Sequence, residues 1–132
     1  MQSFQIISYK ENHFQDIQNL NQQEGWSQLV ERHEETYQAW KNSNIAFVVM
    51  NEETSVIGYV RGLTDGTVTT YICEMLISTE YRGHGIGAKL LKHVHHLFPK
   101  TRMEMLASST SHTFYESQKF RSFYGFRKTY DE

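Results

Sequence analysis

With 132 residues and a formal charge of −2 from 13 basic and 15 acidic side chains, the chain has the size of one domain, here 1–132, and lacks a nucleic-acid binder's basic excess. Hydrophobic residues make up 39% and include two Trp, eight Tyr and eight Phe, which excludes intrinsic disorder. A single cysteine, Cys73, excludes an internal disulfide. The longest apolar run, Ile45–Met50, is far shorter than the ~20 residues of a membrane span, and the first residues lack a signal peptide's apolar core. The expectation is a soluble cytoplasmic protein with neither nucleic acid nor membrane as its partner.

Residues Phe4–Tyr9 read as a short strand. His13–Gln23 follows as a weakly amphipathic helix, with Phe14, Ile17 and Leu20 spaced by three. Gly25 interrupts the pattern, and Ser27 is the expected N-cap of a second helix running to about Asn42. Ile45–Met50 reads as a buried strand, Asn51–Ser55 as a hairpin turn and Val56–Leu63 as the return strand. The run Thr64-Asp65-Gly66-Thr67 is a second tight turn, because Asp-Gly readily supplies positive φ. Val68–Ser78 is then a long strand rich in β-branched and aromatic residues.

A glycine-rich turn opens the next helix, which runs to about Phe98 before Pro99 ends it. Its residues Ile86, Leu90, Leu91, Val94, Leu97 and Phe98 fall within an arc of roughly 140°. Arg102–Ala107 alternates as a strand, Ser108–Lys119 is short and helical, and Phe120–Tyr130 is expected to be a final strand. The order β–α–α–β–β–β–α–β–α–β predicts an α/β fold, a mixed sheet with helices on its faces.

The segment richest in chemistry is Arg82–Lys89, RGHGIGAK, between a strand and a helix. Gly83, Gly85 and Gly87 let the backbone approach a ligand and aim successive N–H groups at one spot. A helix N-terminus adds positive potential suited to a diphosphate, and Arg82 and Lys89 add formal charge at the two ends. The alternative is a connection that only packs a helix on a sheet. A Walker A loop is excluded because no GxxxxGK[ST] frame exists, and the G-x-G-x-G spacing differs from the dinucleotide GxGxxG.

Arg82-Gly83-His84-Gly85-Ile86-Gly87 resembles the R/Q-x-x-G-x-G/A acyl-CoA signature of the GNAT N-acetyltransferases. Tyr71–Glu80 resembles that family's fourth strand, and Thr113-Phe114-Tyr115-Glu116 its "FYE" helix. The resemblance covers roughly Ile45–Phe120 strongly and the N-terminal third weakly. It implies a GNAT fold whose fourth and fifth strands part near Leu76 and Ile77, with the pantetheine arm of acetyl-CoA in the gap. The pyrophosphate would then sit on the amides of Arg82, Gly83, His84, Gly85, Ile86, Gly87, Ala88 and Lys89. Ser108 falls where many members carry an Asn that contacts the CoA arm. Two departures stand out: FYESQKF puts Lys119 where the family has glycine, and only twelve residues follow Phe120 in place of a two-strand hairpin. A final strand with a free edge would want a partner, which leaves a homodimer open.

Within that resemblance, Tyr115 is the candidate acid for the leaving thiolate, since a phenol near pKa ~10 is close to a thiol near ~8.5. The competing reading is a packed helix tyrosine. Glu74 is the candidate base or amine-recruiting carboxylate, pointing to the opposite sheet face from Cys73, Met75 and Ile77; a salt bridge to Arg61 or Arg102 is the alternative. Cys73 reads as core filler. His93, His95 and His96 diverge around the helix and read as a solvated face, so no metal is expected. His84 rides on the rim of the loop. Trp26, Tyr37 and Trp40 are candidates for the acceptor pocket, against plain core. The implied activity is transfer of acetyl from acetyl-CoA to a primary amine of a small molecule by direct attack. A protein or peptide N-acetyltransferase and a non-catalytic CoA-binding module are the alternatives.

Overall fold

The computed structural model describes residues 3–132. The described residues form five strands in one sheet: β1 (Gln5–Ser8), β2 (Ile45–Met50), β3 (Val56–Thr64), β4 (Thr69–Ile77) and β5 (Arg102–Met105). The strands lie in chain order, antiparallel except for the parallel pair β4–β5. The helices are α1 (Phe14–Gln23), α2 (Ser27–Glu31), α3 (His33–Asn42), α4 (Ile86–Leu97) and α5 (His112–Ser117), with 3-10 turns at Glu11–His13 and Thr79–Tyr81. None of these helices is long and apolar enough to cross a membrane.

Strand alternation divides the core into two layers. Val49 and Val60 turn to one face, where Ile86, Leu90, Leu91 and Val94 of α4 cover them. Their neighbours Val48 and Tyr59 turn to the other, against Phe14, Ile17, Leu20 and Trp40 of α1 and α3. Each of these buried aliphatic side chains contributes about 1.5–3 kcal/mol. Trp40 is therefore core, while Tyr37 lies half-buried with its ring edge-on to Phe14 at 5.2 Å. A buried polar chain ties the second layer together. The Tyr59 hydroxyl donates to Asn21 Oδ1 at 2.6 Å, and Asn21 Nδ2 donates to Gln18 Oε1 at 2.9 Å.

The Asp-Gly turn forms as expected. Gly66 takes φ +83, and Asp65 Oδ1 accepts the N–H groups of Val68, Thr67 and Thr69, which hold its carboxyl down at about 2.

Three expectations need correction. The helix expected over Ser27–Asn42 is two helices that break at Arg32. The Leu29 carbonyl, which would serve the helix interior, accepts instead from Gln18 Nε2 at 3.0 Å and Thr36 Oγ1 at 2.7 Å. Trp26 rather than Ser27 occupies the N-cap of α2, with no side-chain cap bond. Finally, Phe120–Tyr130 forms no strand. Beyond Phe120 this segment is exposed, and its residues make no ladder with β5.

Candidate active site

The parallel pairing of β4 with β5 runs only from Thr69↔Arg102 to Ile72↔Met105. From Cys73 onward β4 keeps β3 on one side and leaves its other edge open. A bulge marks the change: Gly62 pairs with Ile72 and Arg61 with Glu74, so Cys73 is the extra residue. The tight approach there requires glycine, since a Cβ on Gly62 would lie 2.5 Å from the Tyr71 carbonyl oxygen. Ser78 donates its N–H to Ile57, so alternation turns the backbone groups of Leu76 toward β3 and those of Met75 and Ile77 toward the open edge. Leu76 is also 4% exposed, its side chain in the α1–α3 core. The edge thus belongs to Met75 and Ile77, two residues apart beyond the bulge.

The loop after β4 holds its glycines for two different reasons. Gly83 and Gly85 take φ +82 and +77, with open space where a Cβ would stand. Gly87 is a packing glycine: its Cβ would lie 3.2 Å from the Phe114 ring and 3.4 Å from the Met75 methyl. This contact seats α5 beside the first turn of α4 and the open edge of β4. Among the described residues, no acceptor meets the amides from Gly83 to Ala88; Lys89 N–H is the first to bond, to the Gly85 carbonyl. Ile86 anchors the turn in the core at 3% exposure. A run of free N–H groups at the positive end of a twelve-residue helix is an anion cradle.

The charges around the cradle differ from the simple expectation. Lys89 is exposed beside a cleft of about 240 Å³ that Phe4, Ile6 and Val49 also line. Arg82 is tied back, its Nε donating to the Ile77 carbonyl at 3.0 Å and an Nη to Glu24 at 2.8 Å. Glu24, at the end of α1, has a side chain only 6% exposed. It also accepts from the Thr79 hydroxyl at 2.6 Å and the Thr79 N–H at 3.1 Å. Burial pushes the Glu24 carboxyl up, but the Thr79 hydrogen bonds and the Arg82 charge outweigh it and hold the group below its ordinary value. Sequence reading missed Glu24, which sits 58 positions from Arg82 with no motif to join them. His84 folds onto its own loop, its Nδ1 within 3.0 Å of the carbonyls of Tyr81 and Arg82, so that nitrogen carries the proton.

Tyr115 is half-buried on α5, edge-on to Phe114 at 5.1 Å and Phe120 at 5.7 Å. Burial pushes its phenol up, so it stays protonated across the neutral range. Ser108 lies in the turn before α5 with its hydroxyl 3.0 Å from those of Thr110 and Ser111, a local use that competes with any ligand.

Glu74 realises the ion-pair alternative. Arg61 Nε donates to its Oε1 at 2.8 Å and Nη2 to its Oε2 at 2.7 Å, and a further Arg61 nitrogen donates to Ser43 at 3.1 Å. The two side chains are 14% and 19% exposed. Trp26 stands edge-on to Tyr59 at 6.4 Å, on the same face of the sheet as Leu76. Burial, together with the Glu74 charge, pushes the Cys73 thiol up, away from nucleophile chemistry; Arg61 only partly offsets this. His93 packs on Phe47 at 4.6 Å while His95 meets the Thr101 carbonyl at 3.0 Å, so the two rings serve different neighbours.

A family model described as an acetyltransferase (GNAT) domain matches residues 7–131. The chain belongs to the GNAT acetyltransferase family. No curated protein sequence matches it. Among solved structures, a GNAT-family acetyltransferase of Streptococcus pneumoniae TIGR4 is 20% identical, with a TM-score of 0.80 and 100% of both chains covered. The aminoglycoside N-acetyltransferase AAC(6')-Iy, in complex with CoA, is 14% identical with a TM-score of 0.75, covering 97% of this chain and 96% of that one. AAC(6')-Iy has also been solved with the bisubstrate analogue CoA-S-monomethyl-acetylneamine. The mixed sheet with flanking helices is the GNAT fold.

Proposed function

We propose that the chain transfers acetyl from acetyl-CoA to a primary amine of a small molecule by direct attack. The observation that carries this reading is the run of unpaired amides from Gly83 to Ala88 beside the open edge of β4. The residues fit a CoA thioester: the amide cradle and Lys89 suit its diphosphate, and the β4 edge offers the backbone of Met75 and the N–H of Ile77, whose carbonyl Arg82 holds, to its pantetheine amides. When bound, the thioester supplies an activated acyl carbon and a good leaving group. An edge N–H of β4 would polarise the acyl oxygen. The protonated phenol of Tyr115 would donate to the departing thiolate, so that the amine gains the acyl group and CoA leaves as its thiol.

Glu74 is held by Arg61, which argues for a part in shaping and charging the acceptor side rather than for removal of a proton. The amine's proton would pass to solvent, which would also return a proton to the Tyr115 phenolate. Trp26 supplies an aromatic wall on that side, a surface that suits the apolar body of a compact amine. AAC(6')-Iy, by its name an aminoglycoside N-acetyltransferase, is consistent with a small-molecule acceptor. Acetyl transfer measured by mass spectrometry across panels of small amines and of peptides tests the reading. Products confined to small amines support it; products confined to peptide N-termini or lysines replace it with the protein-acetylating alternative.

A further inference from the structure

Glu24 stands where the two halves of the site meet. It is the C-cap of α1, and its carboxylate accepts from the Thr79 hydroxyl, the Thr79 N–H and Arg82. Gln23 Nε2 adds a contact to Ser78 Oγ at 3.5 Å, so the end of α1 is tied both to the end of β4 and to the phosphate loop. On its other side Glu24 leads into a tight turn. Gly25 takes φ +80, and Trp26 donates its N–H to the Asn21 carbonyl at 2.8 Å. Asn21 in turn accepts from the Tyr59 hydroxyl, and Tyr59 is the ring that Trp26 meets edge-on. The carboxylate that anchors the phosphate loop and the indole on the acceptor side therefore belong to one short turn, Glu24-Gly25-Trp26.

We propose that Glu24 is a positioning residue that joins the donor and acceptor halves of the site, carrying occupancy of the amide cradle to the α1–α2 turn and so to Trp26. The inference rests on the acetyl-CoA reading above and goes beyond it in the part it gives Glu24. Gly83 and Gly85, at φ +82 and +77, give the loop a backbone with many accessible states, and a diphosphate needs one of them. The bonds from Thr79 and Arg82 to Glu24 hold the loop in one place before any ligand arrives. Two events that need the same loop conformation favour each other by equal factors. A diphosphate in the cradle therefore strengthens the brace, and the brace fixes the turn that carries Trp26. Without the Glu24 charge the contacts are cut at their strongest link. The turn then keeps only its local bonds, from the N–H groups of Glu24, Gly25 and Trp26 to the carbonyls of Leu20, Gln22 and Asn21.

Acrylamide quenching of tryptophan emission and amide hydrogen exchange test it, read beside calorimetric titration of acetyl-CoA into the full chain. Trp40 is 2% exposed and Trp26 half-buried, so the quencher reads Trp26, and Trp26→Phe checks that assignment. Saturating acetyl-CoA should lower the wild-type quenching constant roughly twofold and slow exchange over residues 24–26 about tenfold, within the usual span of coupling between sites. In Glu24→Gln, with ligand raised until calorimetry shows saturation, both quantities should stay at their ligand-free values. Arg82→Gln cuts the brace from the loop side and should behave alike, so the failure of one variant to fold leaves the other to decide. A wild type that binds acetyl-CoA with Trp26 and its turn unmoved overturns the proposal and leaves the acetyl-CoA reading standing. A response that persists at saturation in a folded variant also overturns it, because the signal then bypasses Glu24. A wild type that does not bind acetyl-CoA overturns the reading, and the proposal falls with it.

Discussion

Replacing Glu24 with Gln tests whether the end of α1 holds the phosphate loop in place. The carboxylate accepts three hydrogen bonds, from the Thr79 hydroxyl and N–H and from Arg82. Gln keeps one acceptor oxygen but turns an NH₂ group toward these donors. Charge-assisted bonds are worth roughly 1.5–3 kcal/mol each. Arg82 is 54% exposed, so solvent screens its share, and a net loss of about 2 kcal/mol is expected. With an unfolding entropy of about 2.1 cal/mol/K per residue, 132 residues give ~0.28 kcal/mol/K, so Tm should fall by about 7 °C. The loss should depend on pH with a defined sign. The folded carboxyl titrates below its ordinary value of 4.5, so its stabilisation is complete above 4.5 and disappears as pH falls through the depressed value. Differential scanning fluorimetry at pH 7 and pH 3 should therefore show the gap between wild type and Glu24→Gln closing in acid. Affinity for acetyl-CoA should also drop, because Arg82 and Thr79 lose their anchor. A Tm change under 1 °C at pH 7, or a gap that widens in acid, would refute the reasoning.

Tyr115→Phe keeps the ring contacts with Phe114 and Phe120, so Tm and acetyl-CoA affinity should hold while turnover falls by roughly 10²–10⁴. The wild-type pH–rate profile should show its alkaline limb above pH 10, since burial pushes the phenol up, and that limb should vanish in the variant. Gly85→Asn should cost only about 1 kcal/mol, because Asn tolerates the φ of +77, yet acetyl-CoA titrated by calorimetry should bind at least tenfold more weakly because the new side chain enters the open space over the amides. Unchanged affinity in that variant would leave the loop as a structural connection.

The fold was legible because its strongest signals are local. The period of Ile86, Leu90, Leu91 and Val94 marks α4, and Asp65-Gly66 marks the β3–β4 turn whatever the rest of the chain does. The turn from Gly83 to Ala88 was legible for the same reason, since Gly83 and Gly85 suit positive φ and the first-turn amides of any helix lack an intrahelical partner. What escaped depends on contacts across the chain. The break at Arg32 arises because Gln18 and Thr36 capture the Leu29 carbonyl, and no helical period reports that. Glu24 reaches Arg82 only through the tertiary fold. The open edge presents Met75 and Ile77 rather than Leu76 because the ladder with β3 takes the backbone groups of Leu76, a phase that only the pairing of the two strands fixes. The segment Phe120–Tyr130 was expected as a strand, but it makes no ladder with the free edge of β5 and is exposed beyond Phe120.

Thermal unfolding with and without acetyl-CoA bears most directly on the claim that this GNAT chain works on a CoA thioester. At ~100 times its dissociation constant the ligand should stabilise the fold by about 2.7 kcal/mol, which at ~0.28 kcal/mol/K raises Tm by roughly 10 °C. NAD and ATP should shift it less, since they bring a diphosphate for the cradle but no pantetheine arm for the β4 edge. A Tm that does not move with millimolar acetyl-CoA would contradict the account.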